Sequence, residues 1–201
     1  MNKKNKIMAF FILYFTFAII ACTPGNGLTP TAHTYAIGDT GPSGVGIVFY
    51  ITDGGLHGLE VAPSLWDGGS VDPKSVWSNV DGSVVGTDTA IGTGLANSDA
   101  IIAQLGHTTS AAKLCRDYTG GGKTDWFLPS KDELIELWTQ RATIGGFVVD
   151  FYWSSSEASD PSDPSIDPAI YAWLISFYPD GTAYPKISKA DSYYVRPVRA
   201  F

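Results

Sequence analysis

The longest apolar stretch of the chain, residues 7–21, lies near its start and follows Lys3, Lys4 and Lys6. A basic start, an apolar segment and a small residue at its end are typical of a secretory signal peptide. The segment is shorter than the roughly 20 residues that a membrane-spanning helix needs. We therefore expect residues 1–21 to be a signal peptide, with an uncleaved N-terminal helix as the alternative.

Residues 19–22, Ile-Ile-Ala-Cys, resemble the lipobox of bacterial lipoproteins. The resemblance implies that Cys22 is acylated and becomes the new N-terminus, with two or three acyl chains, enough for stable anchoring. Residues 22–34 are then the lipidated cysteine and a flexible tether rich in Pro, Gly and Thr. Thr23 follows in place of an aspartate, which by the enterobacterial sorting pattern favours the outer membrane or the cell surface. The sequence thus predicts an exported, membrane-anchored lipoprotein.

Strand patterns open the rest of the chain, which we treat as one domain over residues 35–201. Residues 46–51 form a short continuous apolar run, as expected of a strand buried on both faces. An Asp-Gly-Gly turn and a second apolar run at 58–62 predict a hairpin. Residues 64–96 are rich in Gly, Ser, Asp and Thr and are predicted to be mostly an ordered loop.

Apolar positions with helical spacing follow in the middle of the chain. One set has the i, i+3, i+4, i+7 spacing of a helix that lies on a core: Ala111, Leu114, Cys115 and Tyr118. Ser130 and Glu133 form a capping box that predicts the start of a second helix. Its buried face is predicted to consist of Leu134, Leu137 and Trp138. We expect these to be the two main helices.

Alternating patterns return in the last third of the chain. Residues 151–154 are one predicted strand, and the alternation from 171 to 177 is another. An Asp-Gly turn leads to a partner strand at 182–187. A last strand is predicted at 193–200, where a proline indicates an edge or a bulge. Strands, then helices, then strands again predict the α+β class.

The charge balance limits the classes of partner. The net charge is −7, and loss of the three lysines in residues 1–21 takes it to −10. Nucleic acids bind basic surfaces, so no nucleic-acid partner is expected. Four basic residues near the C-terminus are candidates for a local basic face that engages sulfate or carboxylate groups, with solvated strand edges as the alternative. They are Lys186, Lys189, Arg196 and Arg199.

Three segments together resemble the Lcl C-terminal domain family, which is found in bacterial collagen-like adhesins and in lipoproteins. They are Asp-Trp-Phe-Leu-Pro-Ser at 125–130, Tyr-Trp-Ser-Ser-Ser-Glu at 152–157 and Val-Arg-Pro-Val-Arg-Ala-Phe at 195–201. Glycine-containing segments at 37–42 and 90–97 extend the resemblance. It covers the whole of residues 35–201, although this chain is acidic and has no collagen-like tract.

The resemblance implies a C-type-lectin-like fold, similar to that of the formylglycine-generating, sulfatase-modifying enzymes. This fold has mixed antiparallel sheets with two main helices, and its first and last strands are paired. The activity of those enzymes does not carry over, because they use a pair of active-site cysteines. Cys115 is the only cysteine left after Cys22, and it lies on the predicted core face of a helix.

Other residues with reactive side chains are predicted to have structural roles. A thiol on the core face of a helix, such as Cys115, is expected to be inert. None of the three histidines has a ligand spacing such as HExxH. The serines at 154–156 and Glu157 follow an aromatic strand without a Gly-x-Ser-x-Gly elbow, so we expect them to satisfy turn and backbone groups.

Two further groups are candidates for binding. Asp160, Asp163 and Asp167 share a proline-rich loop and are weak candidates for calcium, since the sugar-binding motifs of calcium-dependent lectins are absent. Trp66 and Trp77 lie in the long loop, where they are available to stack on a sugar or a partner. The alternative is that they pin this loop to the body of the domain.

These observations favour a lipid-anchored, non-catalytic binding protein of the cell envelope that recognises a glycan or a surface protein. No cofactor is expected beyond the weak calcium candidates. Two alternatives remain open: an enzyme derived from the sulfatase-modifying fold, and a structural envelope lipoprotein without a free ligand.

Overall fold

The computed structural model describes residues 32–201, so the predicted signal peptide, Cys22 and most of the tether lie outside the described residues. Contacts within Ala32–Phe201 group these residues into one unit. Its helices and strands, in chain order, are β1 (Ile47–Thr52), β2 (His57–Val61), β3 (Lys74–Val76), α1 (Gly94–Ile102), α2 (Ala111–Arg116), α3 (Lys131–Thr139), α4 (Arg141–Ile144), β4 (Phe151–Glu157), β5 (Tyr171–Ser176), β6 (Ala183–Ser188), β7 (Ser192–Tyr194) and β8 (Val198–Ala200).

The strands form two sheets of mainly antiparallel pairs. The first sheet has the order β1-β2-β8, and the second has the order β3-β7-β4-β5-β6. Strands β4 and β7 run parallel, whereas the other neighbours are antiparallel. The helices lie in sequence between β3 and β4. The predicted α+β class is therefore confirmed.

The structure corrects the predicted last strand. Residues 193–200 are divided between β7, which belongs to the second sheet, and β8, which belongs to the first. Pro197 lies in the link between them, where it has no N–H to donate to a ladder. The side chain of Arg196, in the same link, is buried and paired with Asp72. The link thus connects the two sheets.

The pairing of the first and last strands also differs in detail from the one that the resemblance implied. Strand β8 lies in the same sheet as β1, but it pairs with β2, in the register Leu59 with Ala200 and Val61 with Val198. The β1–β2 hairpin forms as predicted, and Thr52 is paired with His57 at its end. The described residues bring the two ends of the domain together through the middle strand β2.

The two predicted helices are present as α2 and α3, and two further helices, α1 and α4, accompany them. The Ser130–Glu133 capping box is formed in both directions at the start of α3. This helix ends at Thr139, and α4 then leads to Gly145, whose φ of 72° ends it in the left-handed region that favours glycine. Helix α1 begins at Gly94, within the segment 64–96 that we predicted to be mostly loop, and continues beyond it to Ile102.

Two hydrophobic clusters lie on opposite faces of the second sheet, because neighbouring residues of β4 and β5 alternate between them. Tyr152 and Ile175 belong to the cluster that also holds residues of α3 and the first sheet. Trp153 and Leu174 belong to the cluster with residues of α1 and α2. Among residues 32–201, no helix is long and apolar enough to cross a membrane.

Candidate ligand-binding cleft

Buried polar side chains fasten the loop before α1 to the body of the domain. The carboxylate of Glu157 accepts hydrogen bonds from the backbone N–H groups of Val85, Gly86 and Thr87. The carboxylate of Glu133 accepts from the N–H of Gly92, 2.8 Å away. We call the group the buried polar network, and it comprises Asn97, Ser130, Glu133, Ser155, Ser156, Glu157 and Lys189.

Five residues of this network lie in the segments that carry the resemblance described above, namely Asn97, Ser130, Ser155, Ser156 and Glu157. Ser156 donates to the carbonyl of Asp88 at 2.7 Å, and the amide of Asn97 donates to the same carbonyl at 2.7 Å. The serines at 154–156 and Glu157 are all buried, as expected for structural roles. Burial raises the pKa of Glu133, against the hydrogen bonds from Ser130 and Gly92 that lower it. These motifs build the architecture.

The predicted basic face is not formed. Lys189 is fully buried, with its Nζ 2.6 Å from Glu157. Arg196 is also buried, and its Nε donates to Asp72 at 2.7 Å. Each is buried together with an acidic partner, Glu157 or Asp72. These partners come from distant parts of the chain, so the order of residues in the sequence did not reveal the pairs.

The other two basic candidates are neutralised nearer the surface. The side chain of Arg199 is 13% exposed and lies between the carboxylates of Glu60 and Asp125. Lys186 is exposed, but its Nζ lies 3.0 Å from Asp163. The expectation of a shared basic surface is therefore wrong for all four residues.

Trp77 is also buried, which corrects its assignment as a binding candidate. Its side chain has no exposed surface, and its indole N–H donates to the carbonyl of Ser154 at 2.8 Å. The Nζ of Lys189 lies 4.4 Å from the centre of its ring. Trp77 thus pins the long loop to the sheet, which is the alternative that the sequence left open.

Trp66, by contrast, lies at the surface of the domain and forms one wall of a cleft of about 440 Å³. Tyr118 forms another wall, with its ring centre 5.3 Å from that of Trp66 and an angle of 71° between the ring planes. The buried Trp126 lies behind Tyr118, with 5.1 Å between the two ring centres. Trp126 supports Tyr118 from the interior, and the rings of Trp66 and Tyr118 are the aromatic groups that a ligand can contact in the cleft.

Local backbone geometry holds the half-buried rings of Trp66 and Tyr118 in place. Leu65 has a φ of 61°, which is rare for a leucine, and it immediately precedes Trp66. The indole N–H of Trp66 donates to the carbonyl of Val195 at 3.1 Å. At the other wall, a Cβ on Gly120 would lie 2.0 Å from the hydroxyl oxygen of Tyr118, so only glycine leaves room for that ring.

The rim of the cleft carries carboxylates. Asp67 and Asp117 both line it, and both are exposed. Asp117 is paired with Lys113 one helical turn away, at 2.7 Å. Burial and the nearby charge of Glu60 raise the pKa of Tyr118, which keeps its hydroxyl protonated at neutral pH. The cleft therefore offers aromatic faces, hydroxyl groups and hydrogen-bond acceptors, in an acidic setting.

The aspartates proposed for calcium do not converge on one point. Asp160 accepts hydrogen bonds from Ser162, Asp163 accepts from Ser165 and pairs with Lys186, and Asp167 accepts from the N–H of Ala169. Within residues 32–201 no group of three or more His, Cys, Asp or Glu side chains is arranged to hold a metal ion. The calcium candidates are instead engaged in local turns and, for Asp163, in the pair with Lys186.

The predicted inert thiol is confirmed as a buried group. Cys115 has no exposed surface, and burial raises its pKa well above the ordinary range, which disfavours the reactive thiolate. His107 is within 2.9 Å of the hydroxyl of Ser110, and His33 packs against Tyr35. These residues hold local structure.

Sequence reasoning found Trp66 but not the residues that complete its site. Tyr118 was assigned to the core face of α2, whereas it follows that helix and is half-buried beside Trp66. Asp67 and Asp117 were not singled out. The signal that was available is the pair Trp-Asp before two glycines, in a segment with few other large apolar residues.

Comparison of the sequence with protein-family models and with curated proteins finds no match for this chain.

Proposed function

We propose that the protein is a lipid-anchored, non-catalytic binding protein of the cell envelope that recognises neutral glycans in the Trp66–Tyr118 cleft. The observation that carries this proposal is the cleft itself, in which two half-buried aromatic rings stand beside the exposed carboxylates of Asp67 and Asp117. The apolar face of a sugar ring stacks on aromatic side chains, and sugar hydroxyls donate hydrogen bonds to carboxylates.

The charge of the cleft supports neutral glycans over sulfated ones. Asp67 and Asp117 lie at its rim, no basic side chain of residues 32–201 lines it, and Lys113 is already paired with Asp117. A sulfate group would meet like charges there, and the basic residues near the C-terminus are buried or paired. We therefore narrow the ligand class from glycans in general to neutral ones.

We also propose that the fold is C-type-lectin-like. The observation in favour is that the last strand, β8, joins the sheet of the first hairpin. In this proposal the motif residues have a structural role and do not form an active site. Their polar side chains belong to the buried polar network, which is engaged with the backbone of the loop before α1.

The membrane anchor is part of the proposal and has its own test. Metabolic labelling with radioactive palmitate should mark the full chain in a bacterial host that processes lipoproteins. The Cys22→Ser variant should lose the label and leave the membrane fraction. Equal labelling of the variant would show that Cys22 is not the lipidated residue.

Binding is tested with a panel of neutral and sulfated glycans, using the full chain purified in detergent. Each glycan is measured at two salt concentrations, with calcium and with a chelator. We expect retention of a neutral glycan that is insensitive to both salt and chelator. The Tyr118→Ala variant should lose it, whereas Tyr184→Ala, which removes an exposed aromatic ring on β6, should retain it. Salt-sensitive retention of sulfated glycans alone would contradict the proposal.

A further inference from the structure

A second pocket, of about 360 Å³, lies beside α4 and has a different chemistry from the cleft. Its wall is formed by apolar groups from three parts of the chain, with one cationic side chain among them: Arg141, Ala142, Phe147, Val149, Phe177 and Pro179. The side chain of Val149 is 60% exposed. The pocket therefore presents an apolar interior and a single positive charge.

The guanidinium of Arg141 has most of its hydrogen-bonding capacity left. One of its N–H groups donates to the carbonyl of Trp138 at 2.9 Å, and its plane lies 4.0 Å from the centre of the Trp138 ring. Arg141 forms no ion pair with any carboxylate in residues 32–201. Stacking on Trp138 fixes the planar group while its other N–H groups remain available to a ligand.

Two backbone N–H groups of pocket-lining residues have no acceptor within residues 32–201. The buried Arg196 binds the carbonyl groups of Gly145 and Gly146 from the interior. The C=O and N–H of a trans peptide point in opposite directions, and the described residues contain no cis peptide bond. The N–H groups of Gly146 and Phe147 therefore point away from Arg196, and neither donates to an acceptor within residues 32–201. Because Gly146 and Phe147 both line the pocket, these two N–H groups are candidate donors to a ligand there.

We propose that this pocket binds a small carboxylic acid with an apolar or aromatic body. Its carboxylate would accept hydrogen bonds from Arg141 and from the backbone N–H groups, and its body would pack on Phe147 and Phe177. Arg141 supplies one positive charge, and Arg196 is already neutralised by Asp72, so a monoanion fits better than a doubly charged phosphate. The acidic chain, with its net charge of −7, also disfavours multiply charged anions.

The test uses 3-phenylpropionate and its uncharged analogue of the same shape, 3-phenylpropanamide. Isothermal titration is carried out on the full chain in lipid nanodiscs, with empty nanodiscs as the blank. We expect the acid to bind about tenfold or more tightly than the amide, as charge-assisted hydrogen bonds require. Arg141→Gln should remove that preference, whereas Lys123→Gln, which removes a charge elsewhere, should keep it. Equal binding of acid and amide, or no binding of either, would overturn the proposal.

A second variant keeps the test decisive if Arg141→Gln perturbs the fold through its loss of stacking on Trp138. Val149→Glu places a carboxylate at the rim on a side chain that is already exposed. We expect it to weaken binding of the acid at least tenfold and to leave the unfolding temperature within a few degrees of the parent. Unchanged binding of the acid by this variant would also contradict the assignment. The pocket is separate from the Trp66–Tyr118 cleft, so neither proposal depends on the other.

Discussion

The buried polar network and the Trp66–Tyr118 cleft use similar residue types for opposite purposes. In the network, every carboxylate is buried and engaged with backbone N–H groups or with Lys189. In the cleft, Asp67 and Asp117 are exposed beside half-buried aromatic rings. Asn97, Ser130 and residues 155–157, which lie in the segments that carry the resemblance, belong to the network. The polar side chains of these segments hold the domain together, whereas the proposed binding residues Trp66, Asp67, Asp117 and Tyr118 lie outside those segments.

The largest expected effect comes from breaking the buried ion pair. Lys189→Ala leaves the carboxylate of Glu157 buried without its cation, which should lower the free energy of unfolding by about 3–5 kcal/mol. Chemical denaturation measures this. Lys74→Ala is a matched control, because Lys74 also pairs with a carboxylate and lies over an aromatic ring, but it is 41% exposed. Lys74→Ala should lower the free energy of unfolding by no more than about 1 kcal/mol. Equal costs would mean that burial does not distinguish the two pairs.

A smaller effect is expected from crowding the network. In Gly94→Ala the new methyl group would lie 2.3 Å from the carboxylate of Glu133 and 2.8 Å from the ring of Phe127. Such overpacking should lower the free energy of unfolding by about 1–3 kcal/mol. Ala96→Ser adds one atom to an exposed position of the same helix and should change it by less than about 0.5 kcal/mol. A neutral Gly94→Ala would show that the contact with Glu133 is loose.

The third prediction concerns alkaline pH. Burial, together with the charge of Asp72, raises the pKa of Tyr152 in the folded chain. Above the ordinary tyrosine pKa of about 10, the unfolded chain releases this proton while the folded chain keeps it. Stability therefore falls as pH rises, by about 1.4 kcal/mol per pH unit from this group. Denaturation curves between pH 9 and 11 should show a shallower fall for Tyr152→Phe. The exposed Tyr184→Phe serves as the control, and an unchanged slope in Tyr152→Phe would refute the assignment.

The smallest change in stability is expected in the cleft. Asp117→Asn removes an exposed pair with Lys113 and should cost about 0.3–0.5 kcal/mol. Because it also removes one of the two rim charges, it should reduce the preference for neutral over sulfated glycans by about threefold. Glycan retention at low salt measures that ratio. A stability loss above about 1 kcal/mol would place Asp117 among the structural residues instead.

Local patterns predicted much of the fold because they depend on neighbouring residues. The capping box of Ser130 and Glu133 and the β1–β2 hairpin require only short segments, and both are present. The division of residues 193–200 between two sheets was not predicted, because β7 and β8 pair with β3 and β2, which lie more than 100 positions earlier in the chain. Distant pairing of this kind has no local signature.

The candidate site was predicted less completely than the fold. Trp66 was identified because a tryptophan in a polar loop is conspicuous, but the same argument selected Trp77, which is buried. The C-terminal basic residues were grouped by their positions in the sequence, whereas their burial depends on acidic partners such as Glu157 and Asp72. A sequence shows which side chains are present, and the fold decides which of them are neutralised.

The central claim is that the Trp66–Tyr118 cleft binds the ligand while the motif residues maintain the fold. The most direct test is to measure neutral-glycan affinity and the unfolding temperature together for Trp66→Ala in the full chain. We predict at least a tenfold loss of affinity, with an unfolding temperature within a few degrees of the parent protein. Retained affinity in a folded Trp66→Ala variant would contradict the account.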